Sequence, residues 1–208
     1  MYFSIRWLVR AGYHVVAYQT TNTVFTSGDP TILPELIDQV RAHIKQRVAE
    51  LSASGQREFG FFGSSLGSFI LYNCIGYADG KIPELRWGVF NTGGNIAAGL
   101  WRMPPLRLAH EARDWTLPRL EQAWAALQWP DFGRLDGCRY MFASSRGDST
   151  APLADIAGYL GPMLAAGAEV SVHPMTAFNH RSTVITGLLQ APRLVRMVRT
   201  EASEAGQR

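Results

Sequence analysis

Cysteine is scarce in this chain of 208 residues. Only Cys74 and Cys138 occur, far apart and without metal-ligand spacing, which argues against a disulfide-stapled fold and leaves two buried, reduced thiols. No other grouping of His, Cys, Asp and Glu has ligand spacing either, so neither a metal nor another cofactor is needed. No run of about 18 apolar residues is present, and no membrane span is expected. Arg6 and Arg10 interrupt the apolar residues at the amino terminus, so the apolar core of a secretory signal is missing and a cytoplasmic location is expected. Charge is sparse, at 18% of residues with a net +3, and lysine is confined to Lys45 and Lys81. The one basic cluster, Arg193, Arg196 and Arg199, lies on a terminal helix and reads as a solvated face, so no nucleic-acid partner is expected.

What the chain does have is 47% hydrophobic residues in a length suited to one domain. Strand-length apolar runs alternate with helical patterns, the arrangement that builds a parallel sheet covered by helices on both faces. A short helix over 4–11 stops at Gly12 and leads to a strand at 13–18. A polar stretch follows, and then Leu36, Ile37, Val40, Ile44, Val48 and Leu51 make the buried stripe of a helix over 33–51. Strands are expected at 58–63, 86–91, 138–144 and 169–175. Helices are expected from Ser65 to about Tyr77 and from 153 to 166, with two short ones at the end separated near Pro192. Between 96 and 132 the alternation stops, and a helical excursion carries Trp101, Trp115, Trp124 and Trp129. It reads as a cap inserted over one end of the sheet, with Trp101, Trp115 and Trp124 as candidate pocket walls.

The most informative segment is Gly63-Ser64-Ser65-Leu66-Gly67, between the strand at 58–63 and the next helix. A serine at such a corner projects its hydroxyl above the sheet, and its neighbours two positions away must be small where backbones nearly touch. Gly63 and Gly67 satisfy that demand, and only Ser65, not Ser64, lies midway between them. Thr92-Gly93-Gly94 reads as a tight turn at the pocket edge.

A serine hydroxyl needs a base to become a nucleophile, and the base needs an acid to hold its tautomer. In a parallel α/β sheet such groups gather beyond the carboxyl ends of the strands. Ser65, Asp148 and His180 each follow a strand end. His14 and His173 fall in strands, and His43 and His110 on helices, where packing roles are expected. Asp155 reads as a solvated helix residue, and Asp131 and Asp136 as backups for the acid.

The order Ser65, Asp148, His180, with the Gly63–Gly67 corner, the Gly147-Asp148 loop and Asn179-His180, resembles the α/β-hydrolase superfamily. Arg10-Ala11-Gly12-Tyr13-His14-Val15-Val16 resembles its first helix running into its fourth strand. The resemblance implies an α/β-hydrolase-like three-layer sandwich in a single domain spanning 1–208, with the cap at 96–132. It implies a serine hydrolase that cleaves an ester or thioester of a small-molecule acyl substrate through an acyl-enzyme on Ser65, with Leu66 N–H as an oxyanion donor. An acyltransferase using the same triad and a noncatalytic ligand-binding protein of this fold are the alternatives. Asn91 and Asn95 stand where some members carry the acid, which strengthens Asp148.

The resemblance also implies a departure. The family's third strand and the loop carrying its second oxyanion donor would precede Met1. Three expectations follow: a late start or fragment, direct pairing of 13–18 with 58–63, or a strand borrowed from a partner. Loss of that donor predicts slow turnover.

Overall fold

The computed structural model describes residues 2–18, 28–76, 82–128 and 130–205. In chain order the elements are α1 (Tyr2–Arg10), α2 (Ile32–Ala53), β1 (Phe59–Ser64), α3 (Leu66–Gly76), β2 (Leu85–Asn91), α4 (Ile96–Trp101), α5 (Pro104–Glu111), α6 (Leu117–Ala123), α7 (Ala125–Gln128), β3 (Arg139–Ser144), α8 (Ala157–Ala165), β4 (Glu169–Pro174) and α9 (His180–Ala205). The four strands form one wholly parallel sheet in the order β1-β2-β3-β4. This is the α/β sandwich that the alternating pattern called for.

Both sheet faces are apolar because both are covered, the usual condition of a parallel sheet. On one face Phe61, Phe90, Tyr140 and Phe142 pack against α3, with α2 and α8 joining the same core. Tyr72 of α3 stacks between Phe90, at 4.3 Å between ring centres, and Tyr159 of α8, at 4.2 Å. Each such pair adds about 1 kcal/mol beyond its buried area. Together they hold α3 at a set depth beneath the sheet, and with it the corner at Ser65. On the other face Val89, Met141 and Ala143 pack against Leu194, Val195 and Val198 of α9. Anchoring that end of α9 leaves its first residue, His180, at the carboxyl ends of the strands.

Two sequence expectations are corrected. Residues 13–18 form no strand. A strand needs a neighbour for its N–H and C=O groups, and β1 has no second partner strand among the described residues. The segment is held by side chains instead, since the Arg199 guanidinium donates to Tyr13 Oη at 2.7 Å and Tyr18 Oη donates to His43 O at 3.4 Å. The second correction concerns Pro192, which does not separate two helices but lies within the single helix α9. Proline removes the N–H that would bond the carbonyl four residues earlier. Here that carbonyl, Leu188 O, accepts a hydrogen bond from the Ser4 hydroxyl of α1, so the helix continues without an orphaned acceptor.

Between β2 and β3 the chain makes the four short helices α4 to α7. Trp124 is buried, and its indole N–H donates to Pro30 O at 2.8 Å, tying this excursion to the turn before α2. Asn73 of α3 donates to Leu127 O at 3.2 Å from the other side. Trp129 and Tyr77 lie outside the described residues. No helix among the described residues is long and apolar enough to cross a membrane.

Candidate active site

Ser65 follows the last residue of β1 and precedes the first turn of α3. Its φ of 53° puts it in the left-handed region, which a serine occupies only when the surroundings impose it. Those surroundings are specific. Ser65 N–H donates to Asn91 O at 2.9 Å and to Thr92 Oγ1 at 3.2 Å, while Ser68 Oγ reaches both Gly63 O and Asn91 O at 2.9 Å. Ser64 lies opposite Asn91 in the register, and Thr92, next along, also has a positive φ, of 58°. Two adjacent parallel strands thus end in two left-handed corners bonded to each other.

The glycines flanking the corner are not equivalent. A Cβ at Gly63 would stand 2.6 Å from Leu71 Cδ1 and 2.7 Å from both Gly67 O and Ser68 N, so no side chain fits. A Cβ at Gly67 would meet nothing within 4 Å. The expectation that both positions must be small therefore holds only at Gly63, because Gly67 faces open space.

The structure brings Ser65, His180 and Asp148 into one line of hydrogen bonds. Ser65 Oγ is 2.9 Å from His180 Nε2, and His180 Nδ1 is 2.9 Å from Asp148 Oδ2 and 3.2 Å from Oδ1. Asp148 is fully buried, and its Oδ1 also accepts the N–H groups of Thr150 and Ala151 at 3.0 and 2.9 Å. A buried carboxylate is tolerable only with such partners. The acid loop and the histidine loop abut closely: a Cβ at Gly147 would fall 2.3 Å from Ala177 O, and Ser145 Oγ donates to that same carbonyl at 2.8 Å. His180 begins α9, whose start is capped by Asn179 Oδ1 accepting Ser182 N–H at 2.9 Å.

The remaining candidates lie elsewhere. Asp155 is ion-paired to Arg102 at 2.6 Å rather than simply solvated, Asp136 pairs with Arg134 at 2.8 Å, and Asp131 caps Gly133 N–H at 2.8 Å. His14 and His43 are exposed, against the packing roles expected of them. His110 is buried, with Nδ1 3.1 Å from Leu106 O and its ring edge-on to Trp124. Cys74 is buried and free, and burial pushes its thiol up to about 12, so it is chemically quiet; Cys138 is likewise buried and free. Among the described residues no group of His, Cys, Asp and Glu could hold a metal ion.

A small cleft of about 30 Å³ opens at Ser65. It is lined by Leu66, Phe69, Thr92, Gly94 and His180, by Ile96, Gly99, Leu100 and Met103 of the excursion, and by Thr150 and Ala151. Trp101, Trp115 and Trp124 do not line it, which corrects the expectation of a tryptophan-walled pocket. Trp124 is spent on the core, Trp115 lies under the Arg119 guanidinium at 4.4 Å, and Trp101 packs half-buried against the same core. The excursion contributes its aliphatic residues to the cleft instead.

Asn91, which ends the apolar strand β2, was noted in the sequence only as standing where some α/β-hydrolases carry the acid, and its bridging role was missed. Its Nδ2 donates to Ser64 Oγ at 2.8 Å and to Val184 O of α9 at 3.2 Å, so one buried amide joins the serine corner to the helix that carries His180. The available signal was a polar residue closing an otherwise apolar run.

No protein-family model matches the chain, and comparison with curated proteins finds no match. Solved structures with a similar chain path include YahD with malic acid (12% identity, TM-score 0.48, 80% of this chain and 65% of that one). Another is the acylaminoacyl peptidase of Pyrococcus horikoshii (15%, 0.48, 71% of this chain and 23% of that one). A third is Est816, described as an N-acyl homoserine lactone degrading enzyme (14%, 0.39, 77% and 73%). The chain thus spans less than two thirds of the first two proteins it is compared with. What the site can do follows from its own atoms.

Proposed function

We propose that the protein is a serine hydrolase of α/β-hydrolase type that cleaves esters or thioesters of a small-molecule acyl substrate. The observation that carries this reading is the unbroken hydrogen-bonded line from buried Asp148 through His180 to a strained, cleft-facing Ser65. A hydroxyl alone is too weak an acid to attack at neutral pH, and this geometry supplies what it lacks.

In the first half-reaction Ser65 Oγ bonds to the acyl carbon as its proton moves to His180 Nε2. The tetrahedral oxyanion then collapses, the bond to the leaving oxygen or sulfur breaks, and His180 returns the proton to that atom. In the second half a water attacks the acyl-Ser65 carbon, gives one proton through His180 to Ser65 Oγ, and releases the carboxylic acid. Asp148 takes no proton; it fixes the His180 tautomer and balances the imidazolium. Leu66 N–H opens α3, where a helix N–H has no intrahelical acceptor, and both its position and the helix dipole suit the oxyanion. We read the α4–α7 excursion as a cap whose first helix walls the cleft.

An active-site-directed fluorophosphonate labels Ser65 in this reading, and the label is absent from Ser65→Ala. Labelling that survives that substitution overturns the assignment.

A further inference from the structure

We infer that the outer surface of α1 and α9 is a docking face for an anionic phospholipid bilayer. From residue 1 to 28 and again from 170 to 200 the chain has no aspartate or glutamate, yet these two segments hold six arginines. The rest of the chain carries 14 basic and 17 acidic residues, so the net positive charge resides here. The fold then brings the two segments together. Leu8 of α1 packs with Leu194, Val195 and Val198 of α9 on the same face of the sheet, and Ser4 Oγ donates to Leu188 O. Arg199 is paired with Glu58, and Arg196 lies over the Trp7 ring at 5.6 Å. Arg6, Arg10, Arg181 and Arg193 are exposed and have no ion-pair partner among the described residues.

Charge alone describes a face for any polyanion, and the apolar surface set among the arginines narrows the partner. Arg181, Ile185, Leu189 and Arg193 recur every four residues, which places them in one stripe along about 18 Å of α9. Ile185 is 47% exposed and Leu189 61%, with Val9 of α1 at 55%. Phe178, two residues before His180, is 87% exposed although its N–H is held by Ser182 Oγ at 3.1 Å. Single exposed apolar residues are ordinary, whereas a row of them rimmed by cations marks an interaction surface. A nucleic acid offers phosphates to the arginines but nothing to Val9, Ile185 and Leu189. A second copy of this chain would set arginine against arginine. A bilayer with anionic headgroups meets both needs, with charge for the guanidinium groups and the acyl boundary beneath the apolar side chains. Because α9 begins at His180, this face starts beside the candidate active site.

The experiment is sedimentation of the full chain with vesicles of phosphatidylcholine alone and of phosphatidylcholine with about 30% phosphatidylglycerol. The mixed vesicles bind at least about thirtyfold more tightly, and raising the salt from about 50 to about 500 mM removes most of that preference by screening. Arg10→Gln combined with Arg193→Gln loses about thirtyfold in affinity for the mixed vesicles, at about fivefold for each arginine. Ile185→Gln combined with Leu189→Gln loses at least about tenfold and keeps the salt dependence. All four positions are exposed, so thermal melts of both variants stay within about 3 °C of the parent. Absent or equal binding to the two kinds of vesicle, or full affinity in either variant, overturns the inference. Binding to an unrelated DNA duplex but to no vesicle overturns it in favour of a nucleic acid. A dimer in sedimentation velocity that Ile185→Gln with Leu189→Gln abolishes, again without vesicle binding, overturns it in favour of a second copy. None of these readouts involves Ser65, so the hydrolase reading stands or falls separately.

Discussion

The two ends of the sheet enclose opposite kinds of space. At the amino ends of β2 and β3 lies a cavity of about 310 Å³, lined by Ile75, Ile82, Pro83, Leu85, Leu135, Cys138 and Tyr140, with Arg86, Arg134 and Asp136 among its polar members. At the carboxyl ends the cleft beside Ser65 is about a tenth of that size. Yet the strained serine, the buried carboxylate and the histidine that joins them are all at the small end. Volume marks where packing is loose, whereas reactivity needs polar groups held at bonding distance in a nearly water-free setting. The comparison also explains why the parallel sheet matters: it aims every β-to-α turn at the same end.

The strongest way to break this comparison is Asp148→Asn. The amide preserves the shape of the loop but offers His180 the wrong partner, so hydrolysis falls by about ten-thousandfold while the protein still folds. The check is ester turnover beside a thermal melt, and a loss below about tenfold would remove Asp148 from the site.

The glycine pair sharpens the same contrast within the corner. Gly63→Ala forces a methyl into the backbone of Gly67 and Ser68 and costs about 3 kcal/mol or more, with loss of fluorophosphonate labelling. Gly67→Ala, which faces open space within a helix, is neutral or gains up to about 1 kcal/mol. Chemical denaturation of the two variants measures the difference, and equal effects would mean the corner is not packed as described. The smallest effect belongs to the other end: Arg86→Gln, at the rim of the larger cavity, leaves kcat/KM within about twofold. A tenfold fall would show that the two ends are not separate.

Much of this was legible because local chemistry carried it. Periodicity located the sheet strands to within a residue or two: the inner strands β2 and β3 are mostly apolar and buried, whereas the edge strand β4 alternates and is largely exposed. The strand at 13–18 was misread because strand formation depends on a neighbour, and its neighbour is a property of the whole fold. Pro192 was misread for the opposite reason. Its local effect is real, but the acceptor it frees is answered by Ser4, 184 residues away from Leu188. The tryptophans were assigned to the cleft because their size suggests a pocket wall, although the same size makes them core anchors.

By itself, the sequence determined that Ser65 sits at a strand-to-helix corner and that Asp148 and His180 follow later strands, because each of these depends on residues adjacent in the chain. Tertiary structure alone decided that the three meet at 2.9 Å and that the excursion bounds the cleft with Ile96, Leu100 and Met103 rather than with its tryptophans. Those facts depend on distances between segments more than thirty residues apart, which only the packing of α3 and α9 on opposite faces of one sheet can set.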